Sequence, residues 1–377
     1  MIDLDDAAAI AAADPSGMLE AVLALPEHCR LGYRAGRSAD DLPSGDGIES
    51  LVVCGMGGSG VAGDVVRALY HDRLGIPITV IKGPVLPAFC GKDTLVVCSS
   101  FSGGTAETLA CFEQAADRGC RLVAVTSGGA LAERAGDVGV AVVEVPGGFP
   151  APRAAVGHLA FGALGALERI GVIPALEADV EDAGLQLESL AGAIGPDVPG
   201  RDNPAKALAA RIGHRIPVVW GSWGLGEVAA TRWKTQLNEN AKVPAFCSVL
   251  PELNHNEVVG WSEGQGDRFL LLVLRHEDEH PDVRTLIPAA LGVVSGSGLR
   301  HEEVWGSGNS PLSALMSLIL LGDAMSVYLG LIRGVDPTPI EAISRLKRAL
   351  ASAGVSEPAR APEEEEPQVR FEREHGP

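Results

Sequence analysis

The sequence predicts an α/β protein built from two tandem units, each a parallel sheet flanked by helices. Short apolar runs that end at Gly or Ser recur along the chain, and an Ala-rich stretch of helical type follows most of them. The length of 377 residues fits about two domains of roughly 150 residues each. Apolar residues make up 46% of the chain and charged residues 21%, which excludes a protein that is disordered throughout.

The apolar runs of the first half predict five strands, at Ser50–Cys54, Ile78–Ile81, Leu95–Cys98, Leu122–Val125 and Ala141–Val145. Helices are expected between them, at about 61–72, 104–118 and 130–135. The second half repeats the pattern, with strands at Pro217–Trp220 and Phe269–Arg275 and helices near 311–332 and 338–353. Strands that alternate with helices in this way are typical of a parallel sheet.

A change of composition separates the two halves. A helical patch at Ala175–Ala193 is followed by several Gly and Pro residues before residue 205. We therefore expect a first unit with an N-terminal helical segment (1–175), a helical linker (176–205) and a second unit (206–353). From Ser356 onward seven Glu stand against three Arg with a single aromatic residue, which predicts a disordered acidic tail over 354–377.

The charge balance excludes several classes of partner. Asp and Glu number 49 against 30 Lys and Arg, and the net charge is −19. A protein that binds nucleic acid or an anionic membrane surface needs a basic face, so neither partner is expected. The start MIDLDD does not resemble a secretory signal, and we expect a cytoplasmic protein.

One apolar run, Leu312–Ile332, approaches the length of a membrane span. It is interrupted by Asp323, Gly322 and Gly330, so a buried helix is the better prediction. The seven cysteines are scattered without a close pair, and reduced, buried thiols are expected.

Residues 55–60, GMGGSG, form what we call the glycine loop. It follows a predicted strand, precedes a predicted helix and satisfies the GxGxxG pattern of dinucleotide-binding proteins. That pattern also requires an acidic residue at the end of the next strand, where this chain has Lys82. Nicotinamide binding is therefore disfavoured, and a tight turn that needs glycine for backbone reasons stays open as an alternative.

Residues 99–108, SSFSGGTAET, form what we call the hydroxyl loop. It again lies between a strand and a helix, and it is dense in hydroxyl groups. Hydroxyls, free backbone N–H groups and a helix N-terminus together bind a phosphate without a basic residue; a plain N-cap is the alternative. We expect both loops to bind phosphate, through Gly57, Gly58, Ser59, Ser100, Ser102 and Thr105.

With both loops in place, the chain resembles the sugar isomerase domain family, which consists of tandem flavodoxin-like units that bind phosphosugars. RWKTQLNENAKVPAF (232–246) and LPELNHNEVVGW (250–261) resemble segments of the bifunctional phosphoglucose/phosphomannose isomerases. APR (151–153) and VDPTPIEAISRLK (335–347) fit the same branch, and the resemblance covers about residues 45–350. Phe101 and Gly104 depart from the Tyr and Asn usual in this family. The resemblance implies interconversion of glucose 6-phosphate or mannose 6-phosphate with fructose 6-phosphate, without metal or cofactor.

Such an isomerisation needs a base that moves a proton between carbons 1 and 2. The helix expected from about Glu227 to Asn240 has one apolar face, and its other face carries Arg232, Gln236 and Glu239. This spacing aims Glu239 into a cleft with an arginine two turns away. Glu239 is therefore the candidate base, with a solvated surface glutamate as the alternative.

The resemblance implies roles for three further residues. His255 is assigned to ring opening and comes from the neighbouring subunit, which implies a homodimer. Lys347 matches the family's active-site lysine, and Arg153 matches an arginine that stabilises the enediolate. A loop histidine, a surface lysine and a structural ion pair are the respective alternatives.

The HEDEH sequence at 276–280 satisfies the zinc-protease pattern HExxH. That chemistry needs both histidines on one face of a helix. Here the motif follows a strand and is stopped by Pro281, so we expect loop residues and no zinc site.

Three rival functions stay open at this point. The first is a non-catalytic phosphosugar sensor of the same fold, against which the joint presence of Glu239, His255 and Lys347 argues. The second is a hexosamine-forming amidotransferase, which is expected to carry an N-terminal glutaminase with a cysteine nucleophile at its start. The start MIDLDD contains no cysteine. The third is the nicotinamide enzyme already weakened by Lys82.

Overall fold

Two parallel sheets form the framework of the computed structural model, which describes residues 2–262 and 268–352. The first sheet has the strand order β2-β1-β3-β4-β5 and the second the order β7-β6-β8-β9. The strands are β1 (Ser50–Gly55), β2 (Ile78–Ile81), β3 (Thr94–Ser100), β4 (Arg121–Thr126), β5 (Ala141–Glu144), β6 (Ile216–Ser222), β7 (Phe246–Leu250), β8 (Phe269–Arg275) and β9 (His301–Trp305). Every strand pair is parallel, which confirms the predicted fold class.

Helices precede, connect and cover the sheets. Those of the first half are α1 (Ala7–Ala13), α2 (Met18–Leu23), α3 (Leu25–Ser38), α4 (Gly57–Tyr70), α5 (Ala106–Asp117), α6 (Gly129–Asp137) and α7 (Val156–Ile170). The others are α8 (Glu177–Ala193), α9 (Pro204–Ile212), α10 (Leu225–Asn240), α11 (Glu257–Trp261), α12 (Pro281–Gly296), α13 (Pro311–Ile332) and α14 (Glu341–Ser352). The tail predicted over 354–377 lies outside the described residues.

Several elements differ from the sequence-based expectations. β7 and β9 are edge strands that carry exposed or charged residues, so they lack the continuous apolar run by which a buried strand is predicted. Helix α12 contains Pro288, a residue that argues against a helix when only the sequence is read. α4 begins at Gly57 rather than near 61, so most of the glycine loop is the first turn of a helix.

Helix α13 is the apolar run whose length suggested a membrane span. Its side chains are almost all buried inside the protein, which confirms the buried-helix prediction. A capping box between Ser310 and Ser313 starts the helix. α13 packs against α8, α9 and α10, and the largest apolar cluster contains residues of both sheets.

The cysteines fit the prediction of reduced thiols. All seven are free, and five of them are buried. Burial raises the pKa of Cys29 above its usual value, as expected for thiols that serve as small apolar side chains.

Candidate functional site

The glycine loop and the hydroxyl loop lie side by side at the carboxyl ends of β1 and β3. Gly55 and Ser99 are paired residues of these adjacent strands. A Cβ atom on Gly55 would lie 2.9 Å from the Ser99 carbonyl oxygen, so only glycine fits there. The Phe101 N–H donates to Ser59 Oγ at 3.0 Å, which joins the two loops directly.

Hydrogen bonds within the loop fix the hydroxyl groups of this edge. Ser100 Oγ and Thr105 Oγ1 are 2.8 Å apart, and Ser102 Oγ accepts from the Gly104 N–H at 3.3 Å. Ser59 and Ser102 accept these hydrogen bonds through their oxygen atoms, and each hydroxyl also has a hydrogen that can donate. The N-termini of α4 and α5 add backbone N–H groups that lack helical partners.

Arg153 connects the glycine loop with the second unit. It lies in a short 3-10 turn before α7 and is 3% exposed. A Cβ atom on Gly58 would lie 3.1 Å from Arg153 Cα, so the loop packs against its backbone. The guanidinium donates to Glu239 Oε2 at 3.1 Å and to Asn240 Oδ1 at 2.7 Å. Burial lowers the pKa of Arg153, and the Glu239 carboxylate opposes that shift.

Glu239 lies at the last turn of α10, and its side chain is 27% exposed. It lines a cleft of about 740 Å³ between the end of α10 and the segment that leads into α14. The predicted core face of α10 is confirmed, because its apolar residues Ala230, Trp233 and Leu237 are all buried.

The prediction of an arginine two turns away in the same cleft is wrong. Arg232 is buried, and its guanidinium binds the Asp323 carboxylate of α13 at 2.6 and 3.0 Å. It also donates to the backbone oxygen of Arg153 at 2.8 Å. Arg153, 86 residues earlier in the chain, is the arginine beside Glu239.

Lys242 is a cleft residue that the sequence reasoning did not single out. It lies just after the end of α10 and lines the same cleft as Glu239. Its Nζ donates to the backbone oxygens of Glu239 and Pro337, at 2.7 and 2.8 Å. Its place in the NENAK segment, three residues after Glu239, was the available signal.

His255 is exposed at the end of a 3-10 turn. The segment that carries it is held by Glu257, whose Oε1 accepts from the indole N–H groups of Trp220 and Trp261, each at 2.9 Å. Within the described ranges, Glu239 bonds to Arg153 and Lys242 and not to His255.

Lys347 lies exposed on α14. It is four residues beyond Ile343, which lines the cleft of Glu239, so the two residues share a face of the helix one turn apart. Among the described residues, Lys347 itself is not part of the lining of the cleft.

The zinc-protease pattern at 276–280 is not helical, as predicted. His276 is buried, with Nε2 3.0 Å from Ser222 Oγ. His280 is exposed, and its Nδ1 accepts from the Asp282 N–H at the start of α12. The two histidines therefore do not share a helical face.

Lys82, which disfavoured a nicotinamide site, follows β2 and forms an ion pair with Asp64 of α4. Burial raises the pKa of Asp64, and the Lys82 charge opposes the shift. The position expected for a ribose-binding carboxylate is thus occupied by a paired cation.

Comparison with known proteins extends these observations. Residues 201–350 match the family described as the bacterial phospho-glucose isomerase C-terminal SIS domain. The bifunctional phosphoglucose/phosphomannose isomerase of Caldicellulosiruptor bescii is 36% identical over 340 residues, covering 89% of this chain and 99% of the relative. The enzyme of the same name from Aquifex aeolicus is 38% identical, covering 80% of this chain and 90% of the relative.

Among solved structures, the hypothetical protein TT0462 of Thermus thermophilus superposes with a TM-score of 0.69. The superposition covers 90% of this chain and 91% of that protein at 18% sequence identity. The likeness concerns the fold. The two curated relatives cover most of the chain at well over 30% identity. The chain therefore belongs to the bifunctional phosphoglucose/phosphomannose isomerase family.

Proposed function

We propose that the protein is an aldose–ketose isomerase that interconverts glucose 6-phosphate, mannose 6-phosphate or both with fructose 6-phosphate in the cytoplasm. The observation that carries this proposal is the junction at Arg153. This one guanidinium binds the Glu239 carboxylate at 3.1 Å, while its backbone packs on Gly58 of the glycine loop. A carboxylate base, a cation and a phosphate-binding edge are thus held together.

The loops supply the phosphate anchor in this proposal. Gly57, Gly58 and Ser59 present the first turn of α4, while Ser100, Ser102 and Thr105 present hydroxyls beside the start of α5. The net charge of −19 repels an anion at long range, so local donors must supply the attraction. Each hydrogen bond to the charged phosphate contributes about 1.5–3 kcal/mol.

Glu239 acts as the general base, and Arg153 stabilises the enediolate. Starting from the aldose, the base removes the proton on carbon 2 and returns it to carbon 1, while a second proton moves from the oxygen on carbon 2 to the oxygen on carbon 1. Negative charge develops on the two oxygens of the intermediate, and a buried cation close to them lowers the barrier. Arg153 suits this role because its fixed, charged fork lies beside the base.

Ring opening is assigned to His255 and Lys347. Since His255 is exposed and is not among the hydrogen-bond or ion-pair partners of Glu239 in the described part of the chain, we propose that it acts on the site of a second copy in a homodimer. Glu257 is a poor alternative base, because its carboxylate already accepts two indole hydrogen bonds.

Replacing the base tests the proposal. Glu239→Gln keeps the size of the side chain and removes its basicity. General-base catalysis typically contributes about 10²–10⁴-fold, so kcat should fall at least ~10²-fold, along with exchange of the transferred hydrogen with solvent deuterium. Binding of the sugar phosphate, measured by calorimetry, should change little.

Glu227→Gln on the same helix is the matched control. Glu227 forms an ion pair with Arg67 away from the cleft, so this variant should keep wild-type turnover. If Glu239→Gln also kept it, Glu239 would not be the base. A wild-type protein that bound sugar phosphates without isomerising them would favour the non-catalytic alternative.

A further inference from the structure

Lys242 adopts a backbone conformation that disfavours its side chain. Its φ is +55°, in the left-handed region just after helix α10. Glycine is the usual residue at such a helix end, because it has no Cβ to crowd the backbone. A lysine in this position indicates that its side chain has a role that outweighs the strain.

The side chain of Lys242 joins two segments of the cleft. Its Nζ donates to the Glu239 carbonyl oxygen at 2.7 Å and to the Pro337 carbonyl oxygen at 2.8 Å. Pro337 O also accepts from Arg153 Nη2 at 2.8 Å. Two cations, Lys242 and Arg153, therefore bind the same Pro337 carbonyl oxygen and tie the segment between α13 and α14 to the end of α10. Pro337 lies four residues before α14 begins.

We propose that Lys242 is a positioning residue, whose ammonium ties the Glu239 end of α10 to the segment 335–340 and keeps a positive charge at the cleft. This inference rests on the proposed isomerase function. The segment leads directly into α14, which carries Lys347, so the same tie fixes where that helix starts relative to the base.

The charges around Lys242 make its role dependent on pH. Arg153, Glu239 and Asp336 act on it, and Glu341 lines the same cleft. Burial, and then the Arg153 charge, lower the pKa of Lys242 to about 8. Above that pH the amine keeps N–H donors but loses its charge, so its hydrogen bonds to the two carbonyls weaken.

The test compares Lys242→Gly with Lys242→Arg. The glycine variant removes the side chain and its two hydrogen bonds but relieves the backbone strain, so it should still fold. We expect its kcat to fall at least ~10-fold with a smaller change in KM. The wild type should lose activity as the pH rises through about 8, and Lys242→Arg should keep its activity to higher pH, because arginine stays charged.

A second measurement separates this inference from the isomerase proposal. Hydrogen exchange of residues 335–340, compared at a single pH, should be faster in Lys242→Gly than in the wild type. Lys234→Met, which removes a lysine inside α10, should leave both readouts unchanged. If the activity of Lys242→Gly fell with rising pH as that of the wild type does, the inference would be overturned. If the wild type had no isomerase activity, the proposed function would fail, and unchanged exchange would overturn the positioning role separately.

Discussion

At the scale of single residues, two histidines behind the hydroxyl loop are unusual. His158 is buried and His28 half-buried, with ring centroids 5.1 Å apart. Phe149 packs on both rings and also on Phe101 of the hydroxyl loop. The Nδ1 atoms of both histidines have no hydrogen-bond partner within the described part of the chain. A proton added to either Nδ1 atom therefore meets no acceptor that would stabilise the charged ring.

We expect these histidines to make the fold sensitive to acid. Burial, and then the neighbouring His28, lower the pKa of His158 to about 4 from 6.5. Between these values the unfolded chain binds more protons, so stability rises with pH and is lost as the pH falls from 6.5 to 4. The loss attributable to His158 amounts to up to about 3 kcal/mol.

Chemical denaturation at several pH values checks this expectation. The free energy of unfolding of His158→Leu should fall less between pH 6.5 and 4 than that of the wild type. Identical pH dependence in the two proteins would show that His158 titrates in the folded state as it does in the unfolded chain.

At the scale of elements, glycines set how closely helices α3 and α7 approach. A Cβ atom on Gly36 would overlap the carbonyl oxygen of Gly162, and one on Gly32 would lie 2.7 Å from the His158 Cα atom. Backbone meets backbone at both points, so neither helix yields by a side-chain rotation. This packing places α7, which begins just after Arg153, against the N-terminal helices.

Gly36→Ala should therefore destabilise the protein by about 1–3 kcal/mol, the usual cost of overpacking. Gly192, in α8, is a matched helical control, because a Cβ there meets nothing within 4 Å. Gly192→Ala should be neutral or add up to about 1 kcal/mol. Urea unfolding of both variants measures the difference, and equal effects would contradict the close approach.

At the scale of the whole molecule, the proposed site is divided. Arg153 and Glu239 meet within one chain, whereas His255 and Lys347 lie exposed. A second copy that contributes His255 would complete the set. In this proposal the dimer brings His255 of one copy to Glu239 and Arg153 of the other.

Mixing inactive subunits tests the shared site. Glu239→Gln and His255→Ala chains should each be strongly impaired, and exchange between them should regenerate one intact site in each mixed dimer. Activity should return after the subunits are mixed under conditions of proven exchange.

The matched control mixes Glu239→Gln with Arg153→Ala. These two residues belong to the same site of the same chain, so mixing should restore nothing. Recovery in the control pair, or none in the first pair, would refute the assignment of His255 to the neighbouring subunit.

The sequence alone predicted the parts of this protein that depend on local pattern. The strands buried in the two sheets carry continuous apolar runs, and the faces of α10 follow from helical spacing. The motifs around Glu239 and His255 pointed to the family that the curated relatives confirm. Each of these signals lies within about one element, where the spacing of residues fixes which of them share a face.

Only the tertiary structure decided which distant residues meet. Helical spacing placed Arg232 on the face of Glu239, but Arg232 binds the buried Asp323 instead, because a charge inside the core requires a partner. The arginine beside Glu239 comes from 86 residues earlier, and the tie from Lys242 to Pro337 spans 95 residues. Such contacts depend on how the helices pack in space, which a periodicity along the chain does not report.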